Sequence, residues 1–224
     1  MNGLVFTGGD APDAGFCGLL ADSMDIIVSA DSGLICAENA NIRPDWILGD
    51  MDSIDDISRL DKYPPDRVLR FPPDKDFTDT ELALDFLYEK GCTSITIAGG
   101  GGGRLDHILA ITALFEREHP PCRWFTSNEK IFLASNDFCY HLKKSSIVSL
   151  FPLGNGPWKA QSSGLKWPLD NVEWRRGFFG ISNSAEADTI IIKVMSGRFM
   201  VIIIDTPPPP FPHIRQSTSG VIDG

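Results

Sequence analysis

Five short apolar runs in the first half of the chain, Leu4–Thr7, Asp25–Ala30, Trp46–Leu48, Arg67–Phe71 and Ser94–Ala98, are each followed directly by Gly, Asp or Pro. Between them lie stretches with helical character, roughly Ala14–Ser23, Gly33–Ala40, Asp79–Lys90 and Leu105–Glu118. Short continuous apolar runs bounded by turn residues are what strands buried on both faces require. Strands that alternate with helices assemble into a parallel sheet with helices on its faces. Thr78 and Glu81 have capping-box spacing at the start of the third helix, and Gly91 supplies its stop. In sheets of this kind ligands bind beyond the carboxyl ends of the strands, so the residues just after each run are the ones to inspect for chemistry.

The pattern changes after Pro120. Cys122–Thr126, Ile131–Ala134, Cys139–Leu142 and Ile147–Phe151 follow one another at short spacing, with no helical segment between them. Thr189–Met195 and Arg198–Asp205 flank Ser196-Gly197, a two-residue hairpin signal. This half is expected to be all-β, built as a sandwich, although one or two of its strands can belong to the first sheet. The expected organisation is therefore α/β plus all-β. A Rossmann-like parallel sheet with flanking helices spans residues 1–130, a β-sandwich spans 131–206, and 207–224, with its proline run, form a flexible tail.

Thirty acidic against twenty basic residues give a formal net charge of -10, which argues against a nucleic-acid surface. An acidic protein that binds polyphosphate needs metal cations in between. The five cysteines are scattered with no C-x-x-C spacing, so neither a disulfide framework nor a zinc site is expected. Reduced thiols and the absence of a basic, cleavable N-terminal signal predict a cytoplasmic protein. The longest apolar runs are too short to span a bilayer, so no membrane partner is expected.

Carboxylates cluster at the strand ends. Asp31 follows the second run, Asp50 and Asp52 follow the third, and Asp74, Asp76 and Asp79 follow the fourth. In a parallel sheet all three groups emerge on one edge. Carboxylate oxygens there suit Mg²⁺, which keeps several waters and shares its coordination with substrate phosphates. Asp55, Asp56 and Asp61 are better explained as turn and cap residues, Asp74 and Asp76 follow a Pro-Pro turn signal, and Asp79 also favours a helix dipole. Asp50 and Asp52 are expected to project together, because residues two apart in an extended segment point the same way. The second feature is Gly99, Gly100, Gly101, Gly102 and Gly103, between a strand and a helix start, followed by Arg104. Glycines admit close backbone approach to a ligand, the helix N-terminus offers free N–H groups, and Arg104 adds a guanidinium. Taken alone, Trp167 is a core tryptophan and Ser182 and Asn183 belong to a turn.

Taken in order, Asp31-Ser32-Gly33, Arg43-Pro44-Asp45, Gly49-Asp50-Met51-Asp52-Ser53, Asp74-Lys75-Asp76-Phe77-Thr78-Asp79, the glycine run through His107, Gly164-Leu165-Lys166-Trp167-Pro168-Leu169 and Gly180-Ile181-Ser182-Asn183-Ser184 resemble the thiamine pyrophosphokinase family over about Leu4 to Ile204. The resemblance implies Mg²⁺-dependent transfer of pyrophosphate from ATP, as co-substrate, to thiamine, and a homodimer with active sites at the subunit interface. It implies catalytic roles for Asp31, Asp50, Asp52 and Asp79, with Asp50, Asp52 and Asp79 on the metal. Ser32, Gly33, Lys75, Asp76, Thr78, Gly99 to Gly103 and Arg104 become nucleotide and phosphate contacts. Trp167, Ser182 and Asn183 become thiamine contacts. Lys75 stands where some relatives have glutamine.

Overall fold

The computed structural model describes residues 1–205; the expected tail at 207–224 lies outside the described residues. Its strands are β1 (Asn2–Phe6), β2 (Ile26–Ala30), β3 (Trp46–Gly49), β4 (Val68–Arg70), β5 (Ser94–Ala98), β6 (Arg123–Phe125), β7 (Lys130–Ala134), β8 (Phe138–His141), β9 (Ile147–Leu153), β10 (Lys159–Ser163), β11 (Gly180–Ser184), β12 (Thr189–Ser196) and β13 (Arg198–Ile204). The helices are α1 (Ala14–Ala21), α2 (Gly33–Asn39), α3 (Asp79–Glu89) and α4 (Leu105–Leu114).

One ten-stranded sheet runs β11-β9-β13-β7-β6-β5-β1-β2-β3-β4, and β10-β12-β8 form a second, three-stranded sheet. From β6 through β4 every neighbouring pair is parallel, as the alternation of strands and helices predicts. Leu4, Val5 and Phe6 of β1 are all fully buried because helices cover both faces. Val5 packs with Leu84 and Leu87 of α3 and Ile111 of α4. On the other face Leu4 and Phe6 pack with Cys17 and Leu20 of α1 and Ala37 of α2. The capping box forms at the start of α3: Glu81 N–H donates to Thr78 Oγ1 at 3.2 Å, and Thr78 N–H donates to Glu81 Oε2 at 2.8 Å.

The all-β region is present, but it is not a free-standing sandwich. β7, β13, β9 and β11 continue the first sheet in antiparallel register. The smaller sheet covers this wing, and Ile190 and Ile192 of β12 meet Phe199, Val201 and Ile203 of β13 in a second core. The hairpin expected at Ser196-Gly197 does not form. β12 pairs with β10 and β8, and β13 pairs with β7 and β9. Both strands carry an apolar face, and the turn sends them to opposite layers so that these faces meet across the interior instead of lying side by side. β10 and β11 went undetected in the sequence because Lys159–Ser163 and Gly180–Ser184 are mostly polar edge segments.

No helix among the described residues is long and apolar enough to cross a membrane. All five cysteines are free thiols.

Candidate active site

β1 sits centrally, and the chain proceeds to β2, β3 and β4 on one side but to β5 and β6 on the other. The strand order therefore reverses between β1 and β5, where the loops that leave the two strands diverge and leave a crevice. A cleft of about 460 Å³ opens there, lined by Gly8 and Gly9 after β1, Asp31 after β2, and Gly100 and Gly101 after β5. The Gly8-Gly9 loop drew no functional reading from the sequence. A glycine pair directly after a central strand was the signal that could have found it.

Three of the strand-end aspartates converge. One carboxylate oxygen each from Asp31, Asp50 and Asp79 lies within 4.8 Å of the others. Gly49 makes this approach feasible: with φ at +146°, a Cβ there would lie 3.1 Å from Asp31 Cβ and 3.2 Å from Asp79 Oδ1. Asp31 itself adopts φ of +47°, a left-handed conformation that aspartate tolerates better than most residues. Asp52 stands beside the three rather than among them. Met51 takes φ of +67° and buries its side chain with Leu34, Ile47 and Ile54, so the segment turns where an extended strand was expected. Asp52 N–H then donates to Asp50 Oδ1 at 3.2 Å, and the exposed Asp52 carboxylate accepts from Ser53 Oγ at 2.9 Å.

Lys75 is drawn into the cluster. Its Nζ donates to Asp50 Oδ2 at 3.2 Å and lies 3.2 Å from Asp79 Oδ1 as an ion pair without hydrogen-bond alignment. The Asp52 N–H, helped by Lys75, holds the Asp50 carboxyl below the usual carboxylate range. Burial pushes the Asp79 carboxyl up, Lys75 offsets part of this, and the Asp50 and Asp31 charges add to it. Burial works against the Lys75 ammonium, but its pairing with the Asp50 and Asp79 carboxylates outweighs that and raises its pKa. Asp31 Oδ1 and Asp79 Oδ1 are buried without a hydrogen-bond partner. A converging set of hard oxygen donors with unfilled acceptor capacity fits a divalent cation of the Mg²⁺ type.

Opposite this cluster the glycine loop is laced to the β1 loop. Asp10 N–H donates to Gly101 O at 2.8 Å, Gly100 N–H donates to Gly8 O at 2.9 Å, and Trp124 Nε1 donates to Gly99 O at 2.7 Å. Thr7 and Thr80 hydroxyls meet at 2.8 Å and tie β1 to α3. Gly100, Gly101, Gly103 and Arg104 line the cleft with Ser32, Lys75 and Thr78. Gly99 and Gly33 are buried below it, while Gly102 and Asp76 are exposed. Arg104 is folded onto Asp106, with Nη2 to Oδ2 at 2.5 Å.

The remaining candidates lie elsewhere. Trp167, expected from its surroundings to be a core residue, is 54% exposed, with Lys166 Nζ 4.7 Å from its ring centroid. Ser182 is an exposed β11 residue with φ of +59°. Asn183 is buried, and its carboxamide holds both backbone polar atoms of Trp167.

Two family models match in sequence order. Residues 17–124 match the thiamin pyrophosphokinase catalytic domain, and residues 139–199 match the thiamin pyrophosphokinase vitamin B1 binding domain. The chain belongs to the thiamin pyrophosphokinase family. It is 29% identical over 163 residues to thiamine pyrophosphokinase of Bacillus subtilis, covering 67% of this chain and 73% of that protein. It is 27% identical over 206 residues to thiamine pyrophosphokinase 1 of Oryza sativa, covering 79% and 78%. The crystal structure of thiamin pyrophosphokinase from Geobacillus thermodenitrificans superposes with a TM-score of 0.72 at 26% identity, covering 92% of this chain and 98% of that one.

Proposed function

We propose that this protein transfers a pyrophosphoryl group from ATP to the hydroxyl of thiamine, giving thiamine diphosphate and AMP. The observation that carries this reading is the meeting of Asp31, Asp50 and Asp79 across a crevice from the glycine loop, in a chain of this family. Asp31, Asp50 and Asp79 would hold a divalent cation, with Asp52 beside them, and such a cation would neutralise charge on the transferring phosphates. The backbone at Gly99 to Gly103, together with Ser32, Gly33, Asp76, Thr78 and Arg104, forms the nucleotide side. Released from Asp106, Arg104 reaches phosphate as a fork of donors.

The thiamine side is Trp167 and Ser182, with Asn183 acting through Trp167. In one chain it is far from the acidic cluster. β11 and β1 are separated by five intervening strands, a span of roughly 29 Å along the sheet at the usual strand spacing. A molecule of thiamine's size does not bridge that. The reading therefore requires a homodimer, in which residues 131–206 of one protomer complete the site built by residues 1–130 of its partner. The exposed rings of Trp167, Phe178 and Phe179 support an interface on this side. A cytoplasmic location, where thiols stay reduced, suits the five free cysteines.

Incubation with Mg²⁺, ATP and thiamine tests the assignment. AMP together with thiamine diphosphate is the expected outcome. ADP as product would make the protein an ordinary kinase, and binding without turnover would make it a sensor.

A further inference from the structure

Lys75 stands out within the segment that carries it. From Pro72 through Thr78 it is the one residue not exposed, and its side chain is only 13% accessible. The backbone around it forms no regular element before α3 begins at Asp79. A lysine on an irregular, solvated loop ordinarily keeps its ammonium in water, because burying it is costly. Here the ammonium is turned inward, onto the carboxylates that converge at the strand ends. Among the described residues no other lysine or arginine pairs with Asp31, Asp50 or Asp79.

The oxygens it takes are Asp50 Oδ2 and Asp79 Oδ1. A metal bonded to those oxygens would share them with the ammonium 3.2 Å away, and the two cations would repel. The lysine stem is four carbons long and flexible, and its ammonium is a compact point charge that needs no fixed plane. It can leave the carboxylates by rotations of its own side chain.

We propose that Lys75 is an exchangeable internal cation: it neutralises Asp50 and Asp79 until a divalent metal displaces it, which frees its ammonium towards the cleft that receives the phosphates. This inference rests on the acidic cluster being the metal site. One lysine thus couples metal arrival to the delivery of a second positive charge, and it lowers the affinity of the cluster for metal alone.

Mn²⁺ titration of the full chain without nucleotide, followed by electron paramagnetic resonance, tests it. Lys75→Gln is expected to bind Mn²⁺ at least about tenfold tighter than the wild type, and Lys75→Arg, which keeps the charge, to stay near wild type. Equal or weaker binding by Lys75→Gln, or equally tightened binding by Lys75→Arg, overturns the proposal. A measurement on the wild type covers the case in which Lys75→Gln does not fold: Mn²⁺ should accelerate acylation of Lys75 by an activated ester, read by peptide mass, and an unchanged rate overturns it. Asp50→Asn separates the two levels of the argument. If that variant binds Mn²⁺ as the wild type does, the acidic cluster is not the metal site and both readings fall; if it loses the metal while Lys75→Gln shows no gain, only the role of Lys75 falls.

Discussion

Asn183 holds Trp167 at both ends of its backbone. Its Oδ1 accepts from Trp167 N–H at 3.1 Å and its Nδ2 donates to Trp167 O at 2.7 Å, while Oδ1 also accepts from Ser184 N–H at 2.9 Å. Asn183 is 7% exposed, and Trp167, whose backbone it holds, is 54% exposed. A buried side chain thus fixes the backbone that carries an exposed ring, and this reduces the ordering that binding to the ring would cost.

Trp167→Ala is expected to leave stability within about 0.5 kcal/mol, because the ring is exposed, yet to weaken thiamine binding. Asn183→Ala should weaken thiamine binding too, while also costing about 1–3 kcal/mol of stability for the buried backbone groups it strands. Calorimetric titrations with thiamine and with ATP, alongside thermal melts, check both. A loss of ATP affinity equal to the loss for thiamine would remove Trp167 from the acceptor site.

The two aspartates around Met51 should separate in their effects. Asp50 belongs to the converging trio and Asp52 does not. Asp50→Asn is therefore expected to lower turnover at least about a hundredfold, about 2.7 kcal/mol of barrier, and Asp52→Asn at least about tenfold, about 1.4 kcal/mol. Steady-state rates of folded variants decide this, and near-normal turnover of Asp50→Asn would sink the metal assignment.

Asp79 offers a case where stability and activity part. Burial, with the Asp50 and Asp31 charges beside it, raises its carboxyl above the unfolded value. For a raised carboxyl, ionisation disfavours the folded state, so stability is lost as pH rises from the unfolded value through the folded one. Asp79→Asn should accordingly melt no lower than the wild type at pH 7 without added metal, and any advantage should vanish as pH falls towards about 4. Turnover should drop at the same time. A clear fall in melting temperature at pH 7 would show that the pairing with Lys75 outweighs desolvation.

The glycine loop contains positions of two kinds. Gly99 has φ of +106°, and a Cβ there would lie 2.2 Å from Thr7 O. Gly99→Ala should cost at least about 2 kcal/mol through backbone strain. Gly103 has no left-handed φ and nothing nearer its Cβ position than Gly101 O at 3.6 Å. Gly103→Ala should fold normally, and any loss of ATP affinity it shows would mark the close approach of phosphate.

The thiols should react in order of burial. Cys17 is buried, and desolvation together with Asp13 pushes its pKa up to about 11, so only about one molecule in a thousand carries the thiolate at pH 8. Cys139 is exposed. Iodoacetamide labelling with peptide mass analysis should modify Cys139 first and leave Cys17 intact until the protein unfolds.

Sequence alone determined what depends on near neighbours. The spacing of apolar runs gave the five parallel strands of the first half, the residue types at Thr78 and Glu81 gave the start of α3, and residues that follow strands in a parallel sheet had to emerge on one edge, which brought Asp31, Asp50 and Asp79 to notice. Tertiary structure decided what depends on partners distant in the chain. β12 and β13 part company at Gly197 because their apolar faces need one another across a core, which a local turn signal does not encode. Asp52 stays outside the converging trio, where a buried Met51 in left-handed conformation stands between it and Asp50. Lys75 leaves solvent only because carboxylates from the ends of three other elements meet where its side chain can reach. Local pattern fixes which elements form; long-range packing and charge fix which side chains they bring together.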